Sequence, residues 1–340
     1  MKPLDFRSDT VTKPTQEMRV AMAAAEVGDD VLERDPTMER LERRVAEMLG
    51  LGTALWVPTG CMSNLIALTL HIKRGDRFLA PMKAHVLDSE LGTAAWLANG
   101  MPEALSWEGG PGRPTPMQVL RSKGGAAYYS LRTTLLCLEN THNFAGGTCL
   151  RAAEHAALVE AAKSKGMKVH LDGARLWHAS VATGDSLSDL AKGADTVSVC
   201  LSKGLGAPMG SLLAGDAGTI TEARRLRKML GGGIRQGGVV AAAGLVALDY
   251  IPRLKEDHAK AARLAEGLIS LGFRPVMPET NILLVPVPRP NHALSRMESA
   301  GVLCLPVGDA LRFITHRDLA EGDAEEAIER IKPLADELLA

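Results

Sequence analysis

The sequence predicts an α/β protein, with a mostly parallel sheet in a large domain and a small α+β domain at the C-terminal end. Short apolar segments alternate with helical patterns through residues 53–215, which is typical of a parallel sheet covered by helices on both faces. The 340-residue length exceeds one compact core of usual size. After about Ile251 the chain changes to a charged helical pattern and short strands, so we predict domains over residues 1–250 and 251–340, the first with an N-terminal arm.

The helical patterns begin with two segments whose apolar residues lie three and four positions apart. These segments are TQEMRVAMAAAE and TMERLERRVAEMLG, and Gly50 is a plausible stop for the second. The predicted strands that follow are TALWVP, RFLAP, TTLLCLEN, KVHLD, DTVSVCLS and GSLLAG. TGCMSN is predicted as a turn, and the predicted helices are LIALTLHI, HVLDSELGTAAWLANG and RAAEHAALVEAAKSKG. In the small domain, the helix RLKEDHAKAARLAEGLISLG precedes the strands ILLVPVPRP, VLCLP and LRFITH.

The bulk composition argues against several classes of function. With 39 basic and 40 acidic residues, the net charge of -1 gives no sign of a nucleic-acid or membrane-surface partner. The N-terminus lacks an apolar signal region, and no stretch of 18 apolar residues appears. The five cysteines are far apart, which favours buried thiols in a reducing compartment over a metal site. We therefore predict a soluble cytoplasmic protein without a metal.

Two charged residues follow predicted strands in the second half of the sheet. Asp172 ends one strand, and Lys203 comes just after another. Because ligands of open α/β sheets bind at the carboxyl ends of strands, we expect both side chains to face one crevice. A carboxylate there can keep a pyridine nitrogen protonated, and a lysine amine can form a Schiff base. Either residue alone has an ordinary structural interpretation, but together they favour pyridoxal phosphate.

Other candidate residues lie at turns. Thr59, Gly60 and Cys61 join a strand to a helix, where backbone N–H groups and the helix dipole favour a phosphate. His85 follows a strand and could stack on a pyridine ring or transfer protons. A run of three glycines forces a loop that ends in Arg235, which suits a phosphate or subunit contact.

A further set of side chains could bind a substrate carboxylate. Arg175 follows Asp172 closely, and Arg312 lies in a short strand of the small domain. Arginine binds carboxylates through two parallel hydrogen bonds, which lysine cannot do. Ser8, near the N-terminus, is a possible additional donor.

Together these segments resemble the L-threonine aldolases of the low-specificity type, which are fold-type-I (aspartate aminotransferase-like) pyridoxal-phosphate enzymes. The resemblance runs from about Asp5 to the C-terminal helix. Its motifs are DFRSDTVTKP, EVGDDV, DPT, PTGCMSN, LENTHN, HLDGAR, CLSKGLGAPMGSLL, RKMLGGGIRQ and ITHRD.

The resemblance implies a role for each candidate residue. Lys203 is similar to the Schiff-base lysine, Asp172 to the pyridinium partner and His85 to the histidine that stacks on the ring. The implied phosphate site is Thr59, Gly60 and Cys61, and Arg235 is similar to an arginine that reaches a neighbouring subunit's phosphate. The implied carboxylate clamp is Ser8, Arg175 and Arg312. The resemblance also implies an active unit of at least two subunits and a homotetramer.

The implied reaction is retro-aldol cleavage of L-threonine, L-allo-threonine or a related β-hydroxy-α-amino acid to glycine and an aldehyde. Racemisation or other chemistry at the α-carbon is the alternative on the same scaffold, and a catalytically silent relative is the third hypothesis. Three positions depart from the family pattern: Leu32 and Ser89 replace usual aromatic residues, and Tyr129 aligns with a usual histidine. The base for the β-hydroxyl is then His85, Tyr129 or a bound water.

Overall fold

The computed structural model describes residues 2–124 and 127–340. Its strands are β1 (Leu4–Asp5), β2 (Thr53–Val57), β3 (Arg77–Pro81), β4 (Met101–Leu105), β5 (Thr133–Glu139), β6 (Lys168–Gly173), β7 (Thr196–Cys200), β8 (Ser211–Gly215), β9 (Ile282–Pro286), β10 (Val302–Leu303), β11 (Leu305–Val307) and β12 (Ala310–Ile314). Its α-helices are α1 (Gln16–Ala23), α2 (Pro36–Leu49), α3 (Gly60–His71), α4 (His85–Asp88), α5 (Thr93–Trp96), α6 (Pro116–Arg121), α7 (Ala152–Ser164), α8 (Leu176–Thr183), α9 (Leu187–Ala191), α10 (Ala217–Met229), α11 (Gly238–Leu248), α12 (Leu254–Ser270), α13 (Pro290–Ser299), α14 (Asp323–Ile331) and α15 (Ala335–Leu339). Short 3-10 turns occur at Asp9–Val11, Asn143–Ala145, Ile251–Arg253 and Lys332–Leu334.

The main sheet has seven strands in the order β2-β8-β7-β6-β5-β3-β4. Strand β8 is antiparallel to both of its neighbours, and the remaining pairs are parallel. The predicted mostly parallel sheet is therefore confirmed. In its centre, Asp172 pairs in register with Glu139 on one side and Ser198 on the other. The carboxyl ends of three parallel strands thus meet at one edge, where ligands of such sheets bind.

Two local predictions about secondary structure were wrong, and one strand was not predicted. The TGCMSN segment is not a turn, because α3 begins at Gly60, with Thr59 as its N-cap. The long helix predicted from His85 is two short helices, since the chain passes through left-handed conformations at Leu91 and Gly92 (φ 54° and 74°) that end a helix. Strand β4 was not predicted from its sequence MPEAL, whose side chains are mostly exposed.

A second sheet, in the order β11-β12-β9, is antiparallel and lies in the C-terminal part of the chain. The predicted strand around Arg312 is confirmed as β12. Strand β1 pairs with β10, and the side chains of Leu4 and Phe6 pack in the same apolar cluster as Phe313. The start of the N-terminal arm therefore packs against the C-terminal region, and the division near residue 250 stays a prediction.

The apolar segment around α11 is a buried helix of the main body. Gly244 in this helix allows close packing, since a Cβ there would lie 2.9 Å from side-chain atoms of Leu41 and Leu201. Among the residues that the structure describes, no helix combines the length and the apolar character needed to cross a membrane.

Candidate functional site

A cavity of about 310 Å³ opens at the carboxyl ends of the central strands. Candidate residues from four separate segments of the sequence line it together. They are Thr59, Gly60, Cys61, His85, Asp172, Arg175 and Lys203. The predicted crevice and the convergence of Asp172 with Lys203 in it are therefore both observed.

The N-terminus of α3 forms one wall of this cavity. The Thr59 hydroxyl accepts a hydrogen bond from the Met62 backbone N–H at 3.1 Å, which orders the first turn of the helix. A Cβ at Gly60 would lie 3.6 Å from the Ser211 hydroxyl, so the chain is not tightly packed at that point. The first backbone N–H groups of a helix have no partner inside the helix, and together with its dipole they favour an anion such as a phosphate.

Asp172 is buried at the end of β6, with a donor on each carboxylate oxygen. Asn64 donates to Oδ2 at 2.8 Å, and the Ala174 backbone N–H donates to Oδ1 at 3.1 Å. Burial by itself would raise the pKa of Asp172, but nearby His85 and Lys203 and the Asn64 hydrogen bond lower it on balance. The carboxylate is therefore charged and suited to bind a cationic ring nitrogen.

His85 begins α4 on another side of the cavity and is held from two directions. Its ring Nδ1 lies 2.8 Å from Oε1 of Glu90, and its backbone N–H donates to Oε2 of Glu139 at 2.7 Å. Burial lowers the pKa of His85, but the hydrogen bond with Glu90 and the negative charges of Asp172 and Glu90 together outweigh it, so the pKa is raised on balance. The ring is therefore fixed in place, and Nε2 is the ring nitrogen that Glu90 does not bind.

Two arginines converge on one neutral oxygen beside the cavity. Arg175 makes two hydrogen bonds to the buried Asp9 carboxylate, at 2.8 and 2.7 Å, and a third to Oδ1 of Asn143 at 3.2 Å. Arg312 donates to the same Asn143 oxygen at 3.0 Å, and its buried Nε has no hydrogen-bond partner among the described residues. Burial and the neighbouring Arg175 lower the pKa of Arg312 to about 10. This excess of positive charge suits a substrate carboxylate.

Lys203 lies in the tight loop that follows β7. Its backbone carbonyl accepts a hydrogen bond from the Thr12 hydroxyl at 2.9 Å, which ties the loop to the N-terminal arm. A Cβ at Gly204 would lie 2.5 Å from Nε2 of His178, and Gly206 has a positive φ of 78°. Glycine is thus required on the C-terminal side of the lysine, where the loop approaches α8 closely.

Several predicted residues lie outside the cavity lining. Ser8 caps the first 3-10 turn by accepting from the Thr10 backbone N–H at 3.2 Å. Arg235 lies on an exposed loop, 3.6 Å from a carboxylate oxygen of Asp29. Tyr129 and Leu32 are 80% and 82% exposed, so neither forms part of the pocket in a single chain. Ser89 ends α4 beside His85 and does not line the cavity either.

The sequence analysis missed four residues that organise the site. Asn64 binds Asp172, Glu139 binds the His85 backbone, Asn143 joins the two arginines, and Asp9 neutralises Arg175. Glu139 and Asn143 lie in the LENTHN segment, at the end of a predicted strand, which is the signal that could have found them. Asn64 had no such signal because its partners are distant in sequence.

A group of potential metal ligands also lies in the cavity. Cys61, His85 and Glu90 each place one ligand atom within 4.8 Å of the others. Nδ1 of His85 is already hydrogen-bonded to Glu90, and Cys61 belongs to the helix N-terminus. We therefore assign these residues to the organic cofactor site described next, and the absence of a metal stays a prediction.

The chemistry of these donors fits pyridoxal phosphate. The cavity combines a helix N-terminus for the phosphate, a buried carboxylate for the ring nitrogen and an amine for the aldehyde. The unpartnered Nε of Arg312 and the two guanidinium groups that share Asn143 leave capacity for an added carboxylate. Each chemical part of the cofactor and of an amino-acid substrate thus has a matching group among the residues present.

Comparison with known proteins agrees with this geometry. The family model described as Beta-eliminating lyase matches residues 5–288. A probable low-specificity L-threonine aldolase 2 of Arabidopsis thaliana is 42% identical over 342 residues, covering 96% of this chain and 95% of the relative. The structure of a Leishmania major threonine aldolase is similar with a TM-score of 0.84 at 20% identity, covering 98% of this chain and 100% of the other.

A more distant similarity supports the fold. The aspartate aminotransferase of Thermus thermophilus matches with a TM-score of 0.71 at 16% identity, covering 98% of this chain and 90% of the other. The predicted aspartate aminotransferase-like, fold-type-I architecture is therefore confirmed. By the extent of the family match and the identity to the plant relative, the chain belongs to the beta-eliminating lyase family and, within it, to the low-specificity L-threonine aldolases.

Proposed function

We propose that this protein is a pyridoxal-phosphate-dependent aldolase that cleaves L-threonine, L-allo-threonine or related β-hydroxy-α-amino acids to glycine and an aldehyde. One observation carries the proposal: a single cavity holds Lys203, Asp172, the N-terminus of α3 and Arg175 together. Family membership supports the same reaction, since the plant relative is named for it.

The proposed roles follow from the contacts at each residue. The N-terminus of α3 would bind the cofactor phosphate, Asp172 its ring nitrogen, His85 its ring face and Lys203 its aldehyde. When bound, the cofactor supplies an electron sink for the electron pair of the broken Cα–Cβ bond. The share of the protein is to position the groups and to stabilise charge.

Arg175 and Arg312 would orient the substrate through its carboxylate. Asn143 holds one nitrogen of each guanidinium within 3.2 Å of a single oxygen, so both cations face the same point. Asp9 keeps Arg175 rigid by two hydrogen bonds. A carboxylate fixed there restricts rotation about the substrate Cα, which selects the bond that is cleaved.

The proton of the β-hydroxyl needs an acceptor in the same cavity. Nδ1 of His85 is occupied by Glu90, so Nε2 is the ring nitrogen that would move this proton, directly or through a water. The exposure of Tyr129 argues against that residue within one chain.

The test is aldehyde release from purified holoenzyme given L-threonine, L-allo-threonine and L-phenylserine in parallel. We expect glycine and aldehyde in equal amounts, and no release by Lys203→Ala. The matched control is Lys192→Ala, because Lys192 is exposed and lies outside the cavity. A D-amino acid in place of the aldehyde would instead establish racemisation.

We also propose that the active unit is a homotetramer in which Arg235 reaches the phosphate of a neighbouring subunit. Its exposure and its position on a glycine-rich loop support such a role. Arg235→Ala should weaken cofactor binding, and light scattering should give a mass near four times 36.1 kDa. A fully active monomer would contradict this assembly. The five unpaired cysteines support a reducing compartment such as the cytoplasm.

A further inference from the structure

A continuous line of hydrogen bonds runs from Asp172 along one face of the sheet to His71, the last residue of α3. Asn64 donates to Asp172, and Oδ1 of Asn64 lies 3.1 Å from Nε2 of His170. The other ring nitrogen of His170 lies 2.9 Å from the Thr196 hydroxyl, which in turn is 3.0 Å from Nε2 of His71. His170 and Thr196 are completely buried, and the proposed reaction uses neither of them.

The carboxylates at one end determine the direction of the first bonds. Asp172 in its charged form can only accept, so the NH₂ group of Asn64 must face it. The same group lies 2.7 Å from Oε1 of Glu90, which agrees with this orientation. The amide oxygen of Asn64 therefore faces His170, and because it only accepts, Nε2 of His170 must carry a hydrogen.

The remaining bonds follow from the same reasoning. Burial lowers the pKa of both His170 and His71 to about 4, so each ring is neutral at pH 7. A neutral His170 with its hydrogen on Nε2 has an accepting Nδ1, which takes the single hydrogen of the Thr196 hydroxyl. The Thr196 oxygen then accepts from Nε2 of His71. Every hydrogen in the line points toward Asp172, so each bond strengthens the next.

We propose that His170 is a positioning residue that holds the amide hydrogens of Asn64 toward Asp172, and so keeps this carboxylate charged for the cofactor's ring nitrogen. The inference rests on the proposed function for the identity of that cofactor. Without His170, the buried Asn64 oxygen would have no donor, so only the two carboxylates would hold the amide and its hydrogen bond to Asp172 would be less well oriented. A weaker hydrogen bond stabilises the charged form of Asp172 less and so favours its protonation.

Other charged groups act on the same residues and must stay constant in any test. Those that face Asp172 are His85, Lys203 and Glu90. Those that face the outer end of the line at His71 are Asp195, Lys168, Lys163 and Asp216. The variants below change none of them.

The direct test is neutron diffraction from deuterated crystals of the holoenzyme. We expect deuterium on Nε2 of His170, none on its Nδ1, and the Thr196 deuteron directed at that Nδ1. Deuterium on Nδ1 of His170, alone or together with Nε2, would overturn the proposal. This measurement needs no turnover, so its outcome is independent of which substrate the enzyme cleaves.

A second test uses variants that change polarity with little change in shape. Asn64→Leu removes the donor with a side chain of similar size, and His170→Phe keeps a flat ring without nitrogen. For both, we expect the pH midpoint of the bound cofactor's visible absorbance to rise by about one unit. A carboxylate that is less often charged leaves the cofactor ring less positive. The ring then withdraws fewer electrons from the nitrogen that would join the cofactor to Lys203. We also expect kcat to fall about tenfold while KM changes less than about threefold.

The matched control is Thr69→Val, on the same helix as Asn64. Among the described residues, the Thr69 hydroxyl donates only to the Leu65 carbonyl, at 2.7 Å, so its loss removes a partly buried hydroxyl outside the line. This variant should titrate like the parent enzyme. If Asn64→Leu and His170→Phe also titrate like the parent, or lose only thermal stability, His170 is merely structural and the proposal fails.

Discussion

The ion pair between Arg175 and Asp9 offers a sharp test of how the carboxylate clamp is held. Both residues are buried, at 5% and 0% side-chain exposure, and two hydrogen bonds of 2.7 and 2.8 Å join them. Asp9→Ala would leave the Arg175 guanidinium buried without its counter-charge and near a second cation, Arg312. The change therefore removes the counter-charge of a buried cation.

The magnitude follows from this burial. Removal of one partner of a buried ion pair destabilises a protein by about 3–5 kcal/mol. An unfolding entropy of ~2.1 cal/mol/K per residue amounts to ~0.7 kcal/mol/K for 340 residues, so Tm should fall by about 4–7 °C. In activity assays, KM for the amino acid should rise, since Arg175 would no longer be held against Asn143.

The assay is thermal unfolding of the holoenzyme at one fixed scan rate, with steady-state kinetics alongside. The matched control is Asp249→Asn, which breaks an ion pair of similar length, 2.6 Å to Arg44, whose side chains are 63% and 40% exposed. Exposed pairs contribute about 0–1 kcal/mol, so Tm should fall by less than about 1.5 °C. Equal shifts for the two variants, or an unchanged KM in Asp9→Ala, would refute the reasoning.

Three further predictions concern the cofactor, the substrate and acid stability. Lys203→Ala should lose the visible absorbance of the lysine-bound cofactor; a variant that keeps it would show that another amine binds. Arg312→Lys should raise KM about tenfold or more, because lysine cannot make two parallel hydrogen bonds to a carboxylate; an unchanged KM would remove Arg312 from the clamp. Burial lowers the pKa of His178 to about 3 and of His258 to about 4. Because these values lie below the unfolded value of about 6.5, the stability they confer is present above that pH and is lost as pH falls toward them. The double variant His178→Phe, His258→Phe should therefore show a smaller drop in Tm between about pH 7 and pH 5 than the parent; an equal drop would contradict this.

The cofactor side of the site could be predicted because each residue has a local signal. Asp172 and Lys203 each follow an apolar strand, and in a parallel sheet the carboxyl ends of strands share one edge. The Thr59–Cys61 segment joins a strand to a helix, and this junction also has a local signal, although the helix begins at Gly60 and not at Leu65 as predicted. The spacing of apolar residues and the residues at the ends of the strands were enough to predict these positions.

The residues that hold those groups could not be predicted in the same way. Asn64 and His170 meet across 106 positions, and Asp9 and Arg175 across 166. Their side chains give no local pattern, because a lone asparagine or histidine in an apolar segment has many structural uses. The broken helix after His85 was missed for a related reason: its apolar spacing is helical, but the left-handed turn at Leu91 and Gly92 interrupts it.

The sequence by itself therefore determined the α/β class and the family to which the chain belongs, and it selected candidate residues that the structure brings to one cavity. These depend on periodicity and on motifs, which are local in the chain. Only the tertiary structure decided which charges are neutralised, which tautomer His170 must adopt and which predicted residues lie outside the cavity. Hydrogen-bond direction and burial arise when distant segments pack, because a polar group deprived of water must find its partner wherever the fold has placed one.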